Sequence, residues 1–318
     1  MTNISDLKLE GMYRLTACRP DGTERELAGW FSNLILDGGL NRLGTGGVWD
    51  RCDVGSGVTP VSFDQTKLAA IKASSTTVAS SLAAVDENDY LYAFAIKTFT
   101  FPAGSVVGNL SEVGVGWAGG NLFSRALISD THGEPTVITV LADEALTVQY
   151  QVRVWPSQED RIFDLAIAGD VYTFTVAAIC LSGNNDGVDN EWPVQLFNLL
   201  NGGAVSASAT ASAGAMTAYS EGVAFAGIDW IEMSGGTKLA LFNTSGNVAS
   251  FVSAYVDGSY QRKVRNTFGP SAGAAPFAGI LVCTICGDYQ MLIDPPIPKD
   301  NTNTLTLDYT IGWARKAF

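Results

Sequence analysis

The stretch LTVQYQVRVW (146–155) returns in altered form near the end of the chain as LTLDYTIGWA (305–314). In the first, Leu146, Val148, Tyr150, Val152 and Val154 alternate with Thr147, Gln149, Gln151, Arg153 and Trp155. In the second, Leu305, Leu307, Tyr309, Ile311 and Trp313 alternate with Thr306, Asp308, Thr310, Gly312 and Ala314. A period of two is that of a strand with one face on a core and one in water. Both stretches therefore predict half-buried strands, and their likeness raises the question of copying.

Three upstream matches occur in the same order in each half. YRLTAC (13–18) pairs with YTFTVAAIC (172–180), WFSNLILDGG (30–39) with LFNLLNGG (196–203), and KTFTFPAG (97–104) with RNTFGPSAG (265–273). Phe31 and Leu146 are 115 positions apart, Phe197 and Leu305 108, the small difference expected of equivalent strands joined by unequal loops. We read an internal duplication, with domains at 1–156 and 157–318 and a boundary in PSQED (156–160), a proline and polar residues after a terminal strand.

The expected fold class is all-β: two tandem β-sandwich, jelly-roll-like domains with long Gly/Ser/Ala-rich loops. KASSTTVASSLAAVDEND (72–89) and NGGAVSASATASAGAMTAYS (201–220) are nearly all small residues and read as such loops, the former with a helical turn. LILDGGLNRL (34–43) has the apolar spacing of a short helix, but its paired glycines favour a turn.

Composition agrees. At 318 residues the length suits two domains, and 47% hydrophobic against 16% charged residues gives ample core material. The net charge of −13, with Lys and Arg scattered singly, speaks against a nucleic-acid groove. The polar start MTNISDLKLEG carries no signal-peptide pattern, and no apolar run reaches the roughly 20 residues of a membrane span. The expectation is a soluble cytoplasmic product, without membrane insertion.

Candidate chemistry is sparse. Cys18, Cys52, Cys180, Cys283 and Cys286 read as reduced thiols. The single CTIC (283–286) places its cysteines on opposite faces of a strand, unsuited to shared ligation. The one histidine, His132, lies in SDTHGEPT (129–136), a hairpin loop by composition. No Gly-x-Ser-x-Gly elbow accompanies it. LGTGGVWD (43–50) lacks the Lys-Ser/Thr of a phosphate loop. Asp186, Asp189 and Glu191 in GNNDGVDNEW (183–192) could form a carboxylate pair or a cation loop, although Asn-Asn-Asp-Gly is also turn chemistry. Asp229 and Glu232 read as strand-edge polarity. Trp49, Trp117, Trp192 and Trp230 near turns are either core anchors or sugar platforms. We assign no catalytic, cofactor or metal residue.

The segment KTFTFPAGSVVGNLSEVGVGWAGGNLFSRALI (97–128), followed by LTVQYQVRVW, resembles the β-domain of tailed-bacteriophage tail-fibre and baseplate proteins. The matching residues are Phe99, Phe101, Gly104, Gly108, the E-x-G pair Glu112 and Gly114, the L-F-x-R set Leu122, Phe123 and Arg125, and Leu146, Thr147, Val148 and Tyr150. NLILDGGLNRLG (33–44) is similar to the family's N-x-I-x-D-x-G-L opening. The likeness covers the first 155 residues; the second half lacks the E-x-G and L-F-x-R elements. It implies a non-enzymatic virion component in the tail, self-associating, as trimers in fibre proteins of this kind, and attached to other tail or baseplate proteins. A host surface receptor, glycan or pilus is an alternative partner, and glycan depolymerisation a further alternative activity. On the residues themselves, Glu112 and Arg125 are placed to pair across adjacent strands as a surface pair contributing about 0–1 kcal/mol. Gly108, Gly114 and Gly116 mark bulges or close backbone approaches.

Overall fold

A computed structural model of the chain describes residues 2–87, 90–157, 159–178, 199–205, 217–221, 239–241, 248–272, 276–284 and 287–316. The protein is mainly β. The first half comprises β1 (Thr2–Cys18), β2 (Glu24–Ser32), β3 (Leu34–Ile35), helix α1 (Asp37–Thr45), β4 (Arg51–Gly55), β5 (Ile71–Ser75), β6 (Val78–Glu87), β7 (Tyr90–Phe101), β8 (Gly108–Leu110), β9 (Glu112–Trp117), β10 (Asn121–Leu127), β11 (Ile138–Val140) and β12 (Ala145–Trp155). The second comprises β13 (Arg161–Ile167), β14 (Asp170–Ala178), β15 (Thr217–Glu221), β16 (Leu239–Leu241), β17 (Val248–Val252), β18 (Gln261–Phe268), β19 (Phe277–Thr284), β20 (Gly287–Ile297) and β21 (Leu305–Arg315).

An eight-stranded sheet runs β17–β18–β21–β1–β12–β7–β6, with β2 bonded to β1 off this path. A five-stranded sheet (β3–β10–β9–β4–β5) lies against one part of it and a six-stranded sheet (β13–β14–β20–β19–β15–β16) against the other. Tyr13 of the large sheet reaches Ser124 of the five-stranded one, its hydroxyl 2.6 Å from Oγ. Phe268 of the large sheet meets Phe277 of the six-stranded one edge-on at 4.8 Å. The five apolar residues of each set read in 146–155 and 305–314 are buried, and Gln151, Thr310 and Gly312 of the opposite face are buried as well.

Strand order repeats between the halves. β12–β7–β6 has its counterpart in β21–β18–β17, and β10–β9–β4–β5 in β20–β19–β15–β16, every pair antiparallel. Registers agree where sequences do: Leu146 faces Phe101 as Leu305 faces Phe268. The first strand breaks the parallel. β12 lines one edge of β1 from Lys8 to Cys18. Along the other edge β21 runs parallel over Thr2 to Leu9, and β2 follows antiparallel from Met12. β14, the counterpart of β1 by sequence, instead lies beside β20, where β3 lies beside β10.

Two local expectations are corrected. Residues 37–45 are helical despite Gly38 and Gly39, because contact decides there. A Cβ on Gly39 would stand 2.3 Å from the Phe123 carbonyl oxygen, so only glycine lets the helix lie this close to β10. Packing outweighs propensity. Within the small-residue stretch 72–89, the described residues 72–87 are not a loop with a helical turn but most of β5 and all of β6. Ladder bonds to β7, rather than side-chain burial, hold it extended. Within 201–220, residues 217–220 belong to β15, and 206–216 lie outside the described residues.

Helix α1 also fastens the halves together. Trp313 Nε1 donates to the Leu40 carbonyl at 2.8 Å, Arg262 Nη2 to that of Gly44 at 2.5 Å, and the Tyr255 hydroxyl to Asn41 Oδ1 at 2.6 Å. The backbones of Gly47 and Gly202, and of Leu43 and Val205, are hydrogen-bonded as well. No helix among the described residues is long and apolar enough to cross a membrane.

Candidate functional site

Of the residues that carry the tail-protein resemblance, Glu112, Gly114, Leu122 and Arg125 lie together on the five-stranded sheet, whereas Phe99, Phe101, Leu146, Thr147, Val148 and Tyr150 belong to β7 and β12 of the large sheet. Arg125 pairs with Gly114 and Leu127 with Glu112, so Glu112 and Arg125 are diagonal neighbours on one face. A register shift between Leu122 and Ser124 turns Phe123 and Ser124 together toward the core. Leu122 and Arg125 are thereby left facing outward.

Glu112 accepts five hydrogen bonds. Its Oε1 takes the backbone N–H groups of Ala70 (2.7 Å) and Gly57 (2.9 Å). Its Oε2 takes Arg125 Nη2 (2.7 Å), Arg125 Nε (3.2 Å) and the Ala69 N–H (3.0 Å). Arg125 extends the network through Nη1 to Gln65 Oε1 (2.5 Å) and through Nη2 to the Thr59 carbonyl (3.0 Å). Every group bound, apart from the pair itself, belongs to the segment 56–70 between β4 and β5. The pair is a clamp that presses this segment onto the sheet.

The expected surface ion pair is thus a buried one, with side chains 0% and 1% exposed. The 56–70 segment covers it, and that cover could not be read from two residues on adjacent strands. Burial pushes the Glu112 carboxyl up, but the Ala70 N–H and the Arg125 guanidinium outweigh it and hold the group below the ordinary carboxylate value. Neighbouring glycines make room: a Cβ on Gly57 would stand 2.4 Å from Glu112 Oε1, and one on Gly116 1.8 Å from the Asn121 carbonyl oxygen.

Other buried ions are also structural. Glu144 binds Arg25 Nη2 at 2.8 Å and the Leu141 N–H at 2.9 Å, tying β2 to the turn before β12. Lys97, 4% exposed, donates to the Trp49 carbonyl at 3.0 Å and lies 4.7 Å from the Trp49 ring centre. Burial lowers its pKa to about 8, against a smaller opposing effect of Asp50. Sequence reading passed over this lysine, although parity would have found it: Lys97, Phe99 and Phe101 share one inward face.

The remaining candidates lie elsewhere. His132 sits on an exposed turn in which Asp130 accepts its backbone N–H and that of Glu134. Trp49 is buried and stacked on Phe123 at 4.6 Å, so it is not a sugar platform. Trp117 is half-buried, with the Arg42 guanidinium 4.8 Å from its ring centre. Cys52 is a buried free thiol and Cys18 a half-buried one. Asp186, Asp189, Glu191, Trp192, Asp229, Trp230, Glu232, Cys180 and Cys286 lie outside the described residues. Among the described residues no three His, Cys, Asp or Glu side chains group as they would around a metal ion.

Comparison of the chain with protein-family models, with curated proteins and with solved structures gives no match.

Proposed function

We propose that the chain is a non-enzymatic structural component of a phage tail, in a fibre or baseplate, which associates with itself and attaches to other tail proteins. The reading rests on the resemblance in 97–155, and one observation carries it beyond likeness. The motif residues Glu112, Gly114 and Arg125 act in the fold, as a clamp and a close approach. A motif of this kind identifies an architecture. The repeated strand order supports a duplicated β-unit, and repetition is a common route to parts that assemble.

Light scattering on the purified chain, with mass spectrometry of purified particles, tests the proposal. The expected result is a defined oligomer and a stoichiometric place in the particle. A monomer absent from particles removes the reading.

A further inference from the structure

The open edge of β6 points to a homotypic interface, and we infer that a second copy of this chain pairs there, antiparallel, across a two-fold axis at Ser81. The inference deepens the self-association proposed above and rests on that reading.

β6 ends the eight-stranded sheet, bonded to β7 over ten residue pairs without a bulge. The Thr100 N–H donates to the Thr77 carbonyl. Antiparallel alternation then turns the N–H and C=O groups of Val78, Ser80, Leu82 and Ala84 to the open side. Residues 76–81 are exposed on both faces of the strand, so among the described residues no side chain stands over an approaching partner there.

Proteins guard open edges with short strands or with charge. Here β3, β5, β16 and β17 are two, five, three and five residues long. β13 carries Arg161 and Asp164, and β2 carries Glu24, Arg25 and Glu26. β6 is guarded only at its end: from Val78 to Val85 it is VASSLAAV, without charge or proline, and Asp86 and Glu87 close the strand of ten residues.

Charge and size select the occupant. Two copies related by a dyad at Ser81 place Ser80 opposite Leu82, Ala79 opposite Ala83 and Val78 opposite Ala84, all neutral and compact. Asp86 and Glu87 then fall opposite Thr76 and Ser75, at the two far ends of the pair. A parallel pair would set Asp86 against Asp86, which a chain of net charge −13 has no reason to favour. A dyad contact is isologous, so assemblies built on it hold an even number of copies.

Three variants of the full chain test this by sedimentation velocity and by non-reducing electrophoresis after mild oxidation. In Ser81→Cys the two thiols face each other within disulfide range, and a covalent dimer is expected, with none in wild type or in Thr77→Cys. Ser80→Pro removes a donor only on the open side and should lower the dimer association constant at least tenfold. A wild-type protein of even stoichiometry with these responses supports the interface. An odd oligomer, or an even one in which Ser81→Cys does not cross-link and Ser80→Pro changes nothing, overturns it while self-association stands. A monomeric wild type overturns both.

Discussion

Lys97 and the Glu112–Arg125 pair show what individual residues contribute. Lys97 has a folded pKa of about 8 against an ordinary 10.5. Between those values the unfolded chain binds more protons than the folded one, so stability rises with pH across that window. The full rise is on the order of 3 kcal/mol. Lys97→Met should abolish it, as read by urea denaturation from pH 8 to 10. Above that range the buried Tyr13 and Tyr150, which desolvation holds protonated, act in the opposite sense. For Glu112 the sign is reversed: its contribution is present above the ordinary carboxylate value and is lost as pH falls through the lower folded one. Glu112→Gln, which leaves the Arg125 charge uncompensated, should cost about 3–5 kcal/mol and open 56–70 to proteolysis. Adding Arg125→Met should restore part of that loss, and strict additivity would contradict a direct pair. The pairing was legible in the E-x-G and L-F-x-R spacing. Its burial was not, since the covering segment TPVSFDQTK (59–67) has no periodicity that assigns it to a sheet face.

At the scale of elements, period-two alternation located β12 and β21, because burial writes itself into side-chain chemistry. Two elements escaped this rule. β6 is held mainly by backbone bonds to β7, with Leu82 half-buried against the core, and its Ser and Ala record little burial. α1 contains glycines that propensity counts against a helix but that contact with Phe123 and Tyr255 requires. Gly39→Ala separates the two influences. Propensity predicts a gain of about 1 kcal/mol. Overpacking predicts a loss of about 1–3 kcal/mol, and that is the expected outcome in thermal or chemical unfolding.

Over the whole molecule, the ordered matches between the halves were legible in the sequence, and strand order repeats as those matches suggest. The joint between the halves was not legible. Nothing in TNISDLKL (2–9) announces a parallel pairing with a strand some 300 residues away, because parallel register leaves no local sequence mark. That pairing, the Trp313–Leu40 bond and an apolar cluster running from Ile4 to Trp313 bind the halves into one body. Calorimetry should accordingly show one cooperative transition, and Trp313→Phe should lower its midpoint through loss of a buried bond worth about 0.5–1.5 kcal/mol. Two separate transitions would mean that the halves stand alone.

The central claim is that this repeated β-architecture serves assembly in a tail particle. The proposal implies a phage source, and a cryo-electron microscopy map of that phage's particles tests it most directly. The account predicts density for both sandwiches at a fixed station in the tail, with copies in contact and neighbouring tail proteins against their surfaces. Particles complete and infectious without this chain would contradict it.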